Sequence, residues 1–282
     1  MKNSESCNVL KVLALQVDIA WEDKAANLAA YSAKLSSAQN IDLIVLPEMF
    51  ATGFSMAVEQ MAEPATGGDV LAWMQALAQD KQSAVCGSVM VSAAHEVNAK
   101  HKAFNRHYFV YPDGCYHFYD KRHLFRMGEE NNHFLAGDKR VIVHYRGWRI
   151  LLQTCYDLRF PVFGRNQSDY DLMINVASWP AARRDVWRTL LKARALENQC
   201  FVLGVNRMGE DGMGLSYTGD SLLYTARGEA LFDGQPQQTP HVACLLSASL
   251  DLAQLRKFQS TFPVALDADP FVLNNAKTVH LE

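Results

Sequence analysis

No stretch of the chain approaches the ~20 consecutive apolar residues that a membrane-spanning helix needs, and residues 1–8 lack the apolar core of a secretion signal. Charge of one sign is equally scarce: 27 Lys and Arg stand against 30 Asp and Glu, and no basic run exceeds a pair such as Arg183 and Arg184. Without a cationic stripe there is no footprint for a phosphate backbone, so nucleic-acid binding is not expected. The six cysteines (Cys7, Cys86, Cys115, Cys155, Cys200, Cys244) include no Cys-x-x-Cys pair and no close Cys/His group. That argues against a zinc site or a thioredoxin-like motif and makes reduced thiols in the cytoplasm the expectation. Pro/Gly/Ser-rich linkers, low-complexity tracts and tandem repeats are missing too, so nothing divides the chain. What is present is 49% hydrophobic residues over 282 positions, enough for a sizeable core and too much for intrinsic disorder.

Strand-like and helix-like stretches interleave from end to end, the pattern of a single α/β domain. The expected boundaries are residues 8–260 for the domain and 261–282 for a C-terminal tail, with Leu281 and Glu282 set aside from the fold reading. Strands are predicted at Val9–Val17, Leu43–Leu46, Ala84–Val91, Trp148–Thr154, Leu172–Val176 and Phe201–Asn206. Further strands are predicted at Asp220–Tyr224, Ala230–Phe232 and Val242–Ser247. Helices are predicted at Asp23–Gln39, Asp69–Lys81 and between Arg184 and Gln199, where Trp187, Leu190, Leu191 and Ala195 share a face. Asn105–Val110 and Tyr116–Tyr119 form a hairpin across Pro112-Asp113-Gly114. Two packed β layers with helices outside would bury this many strands.

Three side chains stand where buried strands emerge. Cys155 closes the apolar run Ile150–Thr154 and opens a polar turn whose backbone N–H groups can face a carbonyl; a single cysteine is more often a buried structural one, the reading given to Cys86, Cys115, Cys200 and Cys244. Cys7 reads as a terminal surface thiol. Glu48 follows Leu43–Pro47, where burial raises a carboxylate toward the range of a base, although an N-cap or surface pair fits the position as well. Lys121 follows Tyr116–Asp120 and would by itself be taken as solvated.

The words around these three, in the order Glu, Lys, Cys, resemble the nitrilase superfamily of carbon–nitrogen hydrolases. The matching text is Leu46-Pro47-Glu48 with Thr52-Gly53-Phe54; Asn105 ahead of Pro112-Asp113-Gly114; Tyr119 through Phe125; and Cys155 through Pro161. Ala193–Gln199 before Asn206-Arg207 matches as well, so the resemblance spans roughly residues 10–250. It implies an αββα sandwich, often dimerised through its sheet layers, carrying a Glu-Lys-Cys triad. Carried over residue by residue, Glu48 is the general base, Cys155 the nucleophile, and Lys121 the oxyanion holder together with the N–H of Tyr156. The family's second glutamate falls at Glu130, with Glu129 beside it as the alternative.

An amide is a poor electrophile, so such chemistry proceeds by acyl transfer to sulfur with loss of ammonia, then hydrolysis of the thioester, and requires no metal or organic cofactor. Tyr156-Asp157 after the cysteine is closer to amidase branches than to nitrilases, and residues 120–129 with Ser178–Arg183 resemble the bacterial omega-amidase group. The resemblance thus implies a small-molecule partner, a 2-oxo acid amide, and a homodimer. The substrate's far carboxylate calls for a cation, for which Arg183, Arg184 and Arg159 are candidates, Arg183 and Arg184 reading equally as a surface pair at a helix start. Phe54, Phe125, Tyr156 and Trp179 are candidate pocket walls, or simply core aromatics. Three rival readings stay open: a carbamoylase or aliphatic amidase on the same triad, a non-catalytic binding protein, and a Cys-His hydrolase using His123 or His133.

Overall fold

The structure, a computed structural model, describes residues 8–93, 102–234, 244–274 and 276–282. The first half of the chain runs β1 (Val9–Gln16), α1 (Lys24–Leu35), β2 (Leu43–Val45), the single turn α2 (Val58–Met61) and α3 (Asp69–Lys81). It continues through β3 (Ala84–Ser92), β4 (Ala103–Val110), β5 (Tyr116–Asp120) and the short α4 (Glu130–His133). The second half holds β6 (Lys139–Tyr145), β7 (Trp148–Thr154), α5 (Pro161–Gly164), β8 (Leu172–Ala177), α6 (Arg184–Asn198) and β9 (Phe201–Asn206). It closes with β10 (Met208–Glu210), β11 (Ser216–Thr218), β12 (Ser221–Tyr224), β13 (Ala230–Gly234), β14 (Cys244–Asp251), α7 (Leu252–Thr261) and β15 (Lys277–Leu281).

Two sheets result, ordered β14-β1-β2-β3-β4-β5 and β13-β12-β9-β8-β7-β6-β15, with β10 and β11 as a separate ribbon. Strand alternation decides which residues meet between them. Leu10, Val12 and Ala14 of β1 share one core with Ile150 and Leu152 of β7 and with Leu172, Ile174 and Val176 of β8. The intervening Leu13 and Leu15 turn outward to Tyr31 and Leu35 of α1 and Met74 of α3, while Leu151 and Met173 turn to Trp187 and Leu191 of α6. Helix, sheet, sheet, helix is therefore the layer order, the αββα sandwich expected. Both faces of the central strands are buried, which explains their unbroken apolar runs; each buried Leu, Ile or Val stabilises the fold by about 1.5–3 kcal/mol.

Most predicted elements fall within a few residues of their expected places, and the hairpin pairs Val110 with Tyr116 and Phe109 with His117. The first helix is shorter than predicted: Asp23 accepts from the Ala26 N–H at 2.9 Å as its cap, and the helix ends at Leu35. Val242 and Ala243, at the start of one predicted strand, lie outside the described residues, as does Cys7. The segment read as a tail, residues 261–282, supplies β15, which pairs in parallel with β6, and Leu281, set aside beforehand, stands opposite Val143. Cys86 and Cys200 are buried as expected, whereas Cys115 is exposed at the hairpin turn and Cys244 is half-buried, so the buried reading is corrected for those two.

Candidate active site

The ends of four strands converge. Beyond β2, Leu46 N–H still bonds to Cys86 O at 2.8 Å, Pro47 has no N–H to continue the ladder, and Met49 takes a left-handed φ of 45°. Met49 N–H donates to Ser88 Oγ at 2.9 Å, and this turn aims Glu48 inward. The turn can lie against β3 because Gly87 has no side chain; a Cβ there would come within 2.8 Å of Leu46 Cβ. Lys121, directly after β5, is held by its N–H to Asn105 O at 2.9 Å. Glu130 opens the short helix after Glu129, whose φ of 57° turns the chain, and its Oε2 accepts from the Phe125 N–H at 2.6 Å. Cys155, at the end of β7, has a φ of 46° and begins a 3-10 turn through Arg159. The N–H groups of that first turn have no intrahelical acceptor.

Glu48, Lys121 and Glu130 are fully buried and mutually bonded: Lys121 Nζ lies 2.9 Å from Glu48 Oε1 and 3.0 Å from each oxygen of Glu130. Two residues not singled out for the site complete the cluster. Asn105 Nδ2 donates to Glu48 Oε1 at 2.8 Å and Glu130 Oε1 at 3.2 Å, and Ser178 N–H donates to Glu48 Oε2 at 2.8 Å. Asn105 was legible as a polar residue in a strand buried along its whole length; Ser178 acts through its backbone, which leaves no side-chain signal. Cys155 is half-buried, its Sγ 4.0 Å from Ser178 O.

The electrostatics follow from this burial. Burial alone would pull the Lys121 ammonium down, but Glu130 and Glu48 outweigh it and hold it above its usual value. Burial raises the Glu130 carboxyl, with Lys121 opposing. The Cys155 thiol is pushed well up by burial and by Glu48, against the pull of Lys121.

Glu48, Cys155 and Tyr156 line a cavity of about 520 Å³, whose walls include Phe54, Phe125 and Trp179. Lys121 and Glu130 lie behind this surface. Arg183 and Arg159 both line the cavity and have no carboxylate partner among the described residues; Arg183 sits 5.3 Å from the Phe125 ring and Arg159 5.2 Å from the Trp179 ring. Arg184, the third candidate, is corrected: Asp220 accepts from its Nη2 at 2.5 Å and its Nε at 3.0 Å, away from the cavity. Against the imidazole alternative, neither His123 nor His133 lines the cavity that holds Cys155: His123 lies stacked on the Phe160 ring, centroids 3.9 Å apart, and the side chain facing Cys155 is the carboxylate of Glu48. No group of three or more His, Cys, Asp or Glu among the described residues is arranged to hold a metal ion.

A cysteine facing a buried carboxylate–lysine–carboxylate cluster, at the sheet ends of an αββα sandwich, defines a carbon–nitrogen hydrolase, and the chain belongs to the carbon-nitrogen hydrolase family, which its residues 11–259 match. Among known proteins it is 46% identical to the omega-amidase YafV of Yersinia enterocolitica, over 94% of this chain and 99% of that one. It is 28% identical to the 2-oxoglutaramate amidase of Bacillus subtilis, over 90% and 95%. The crystal structure of XC1258 from Xanthomonas campestris, a CN-hydrolase superfamily protein with an arsenic adduct in its active site, superposes with a TM-score of 0.86 at 39% identity, covering 94% of this chain and 99% of that one.

Proposed function

We propose that the protein is an omega-amidase that hydrolyses the terminal amide of 2-oxo acid amides such as 2-oxoglutaramate and 2-oxosuccinamate, releasing the 2-oxo dicarboxylic acid and ammonia. The observation that carries this reading is the Glu48–Lys121–Glu130 cluster set against Cys155 in a cavity also lined by Arg183 and Arg159, which have no carboxylate partner among the described residues. The names of the relatives support the substrate class.

In the proposed reaction Cys155 Sγ attacks the amide carbon while Glu48 takes the thiol proton. The oxyanion is met by Lys121 and the N–H of Tyr156; of the three protons on Lys121, one goes to Glu48 Oε1 and one is shared between the two oxygens of Glu130, which leaves one for the substrate. Glu48 returns its proton to the leaving nitrogen, ammonia departs, and the thioester remains. Water then attacks with Glu48 again as base, and the thiol is regenerated. Removing one oxyanion donor typically costs about 3 kcal/mol, so Lys121 bears a large share of the barrier. Arg183 binds the distal carboxylate, and Phe54, Phe125 and Trp179 wall the chain between. A cytoplasmic homodimer completes the reading, its dimer state open to sedimentation analysis.

Ammonia release from 2-oxoglutaramate and 2-oxosuccinamate, beside glutamine, asparagine, an aliphatic amide, an N-carbamoyl acid and a nitrile, tests the proposal. A strong preference for the two oxo acids is expected, and Cys155→Ala should be inert while folded. Turnover of only another substrate would reassign the pocket, and turnover by the alanine variant would remove Cys155 as nucleophile.

A further inference from the structure

Behind the cavity, Glu48 Oε1, Lys121 Nζ, Glu130 Oε1 and Asn105 Nδ2 close a ring of four hydrogen bonds of 2.9, 3.0, 3.2 and 2.8 Å. Two carboxyl groups here share one cation, so whenever both are ionised the cluster holds an excess negative charge in a dry place. The two N–H bonds of the Asn105 carboxamide are the neutral donors that answer it. The amide orientation is fixed by chemistry: turned over, its oxygen would face both carboxylates. Its Oδ1, fully buried, meets no partner among the described residues, so the side chain is placed by what its NH₂ gives and not by what its oxygen receives.

We propose that Asn105 is a positioning residue that sets the orientation and proton affinity of Glu48. With Oε1 occupied by Asn105 and Lys121, and one site of Oε2 taken by the Ser178 N–H, the remaining acceptor site of Oε2 is the one left for the Cys155 proton. The inference rests on the reading of Glu48 as general base. The titratable groups around Glu48 are Lys121, Glu130 and the Cys155 thiol. His107, two residues along β4 and on the same face, has been pushed down to about 4 by burial and bonds to Gln153 O, so it adds no charge near neutrality. Removing the Asn105 donors withdraws hydrogen bonds from the ionised carboxylates and leaves Glu48 facing Glu130 with less screening. Both changes favour the protonated acid, so the acidic limb of the rate profile must move to higher pH.

The test compares Asn105→Ala and Asn105→Asp with the unaltered enzyme, using 2-oxoglutaramate as substrate and thermal melting as a check on folding. For the alanine variant, kcat is expected to fall about tenfold with KM within about twofold, and the acidic limb of kcat/KM to rise by about one pH unit. Aspartate matches asparagine in shape but, ionised, donates nothing and adds a third carboxylate, so it is expected to lose more than alanine. The reverse order, aspartate active and alanine impaired, marks a space-filling residue and overturns the proposal, as does an unshifted acidic limb. If the alanine chain does not fold, Asn105→Ser replaces it under the same criteria. Cys155→Ala run alongside separates the failures: turnover surviving there overturns the triad reading itself, whereas an inert Cys155→Ala with unshifted Asn105 profiles overturns the role of Asn105 alone.

Discussion

Cys155 keeps its proton at rest. Burial and Glu48 push the thiol up and Lys121 only partly opposes them, so a neutral thiol beside a carboxylate, not a preformed thiolate, is the resting arrangement. Alkylation by iodoacetamide should accordingly be slow at pH 7 and keep rising past about 8.5, the value of an ordinary cysteine; rapid modification at neutral pH would contradict this. Replacing Lys121 with Met is expected to lower kcat by about 10²–10³ with a smaller effect on KM, because the charge is wanted where the oxyanion develops. A variant that lost binding but kept its chemical step would assign Lys121 elsewhere. Glu48, Lys121 and Cys155 were legible because each stands immediately after a strand-like run within recognisable words. Arg184 stayed undecided between a carboxylate clamp and a surface pair because the partner that occupies it, Asp220, lies 36 residues downstream and next to it only in space.

At the scale of elements, the two arms of the proposed site depend on one carboxylate. Asp157 is buried in the turn after Cys155 and accepts from Thr154 N–H at 2.9 Å and Tyr119 Oη at 2.7 Å. It also accepts from His123 N–H at 3.0 Å and His123 Nδ1 at 2.7 Å. It thus binds the start of the Cys155 turn to the segment that follows Lys121. Asp157→Ala strands these donors and should lower stability by about 3 kcal/mol in urea denaturation, with turnover reduced even where the protein is folded. Undiminished turnover in the folded variant would mean that the two arms hold their places without this tie. Sequence patterning made the central elements readable, since two-sided burial writes long apolar runs. It missed β6 and β15, in which charged or polar residues bracket short apolar stretches and pairing with a distant strand decides the outcome.

For the whole molecule, the pairing of β15 with β6 ties the last residues of the sequence to the second sheet. Ending the chain at Ala276 should destabilise the protein by roughly 2–4 kcal/mol while leaving kcat at 25 °C intact, since β15 is an edge strand separated from β7 by β6. A loss of kcat at full folding would place the tail within the reach of the site. The two sheets also divide the chemistry between them. Glu48, Asn105 and Lys121 belong to the ends or body of β2, β4 and β5, whereas Cys155 and Ser178 follow β7 and β8. No covalent segment of a single layer holds nucleophile and base together; the apolar contact of one layer on the other, with the hydrogen bonds of Asp157 and of the Ser178 N–H that cross between them, keeps them in register. A slip of one ångström at reacting atoms can cost about a hundredfold in rate, so turnover is a gauge of interlayer spacing: under hydrostatic pressure or mild denaturant, catalysis should fade while each sheet still keeps its own hydrogen bonds.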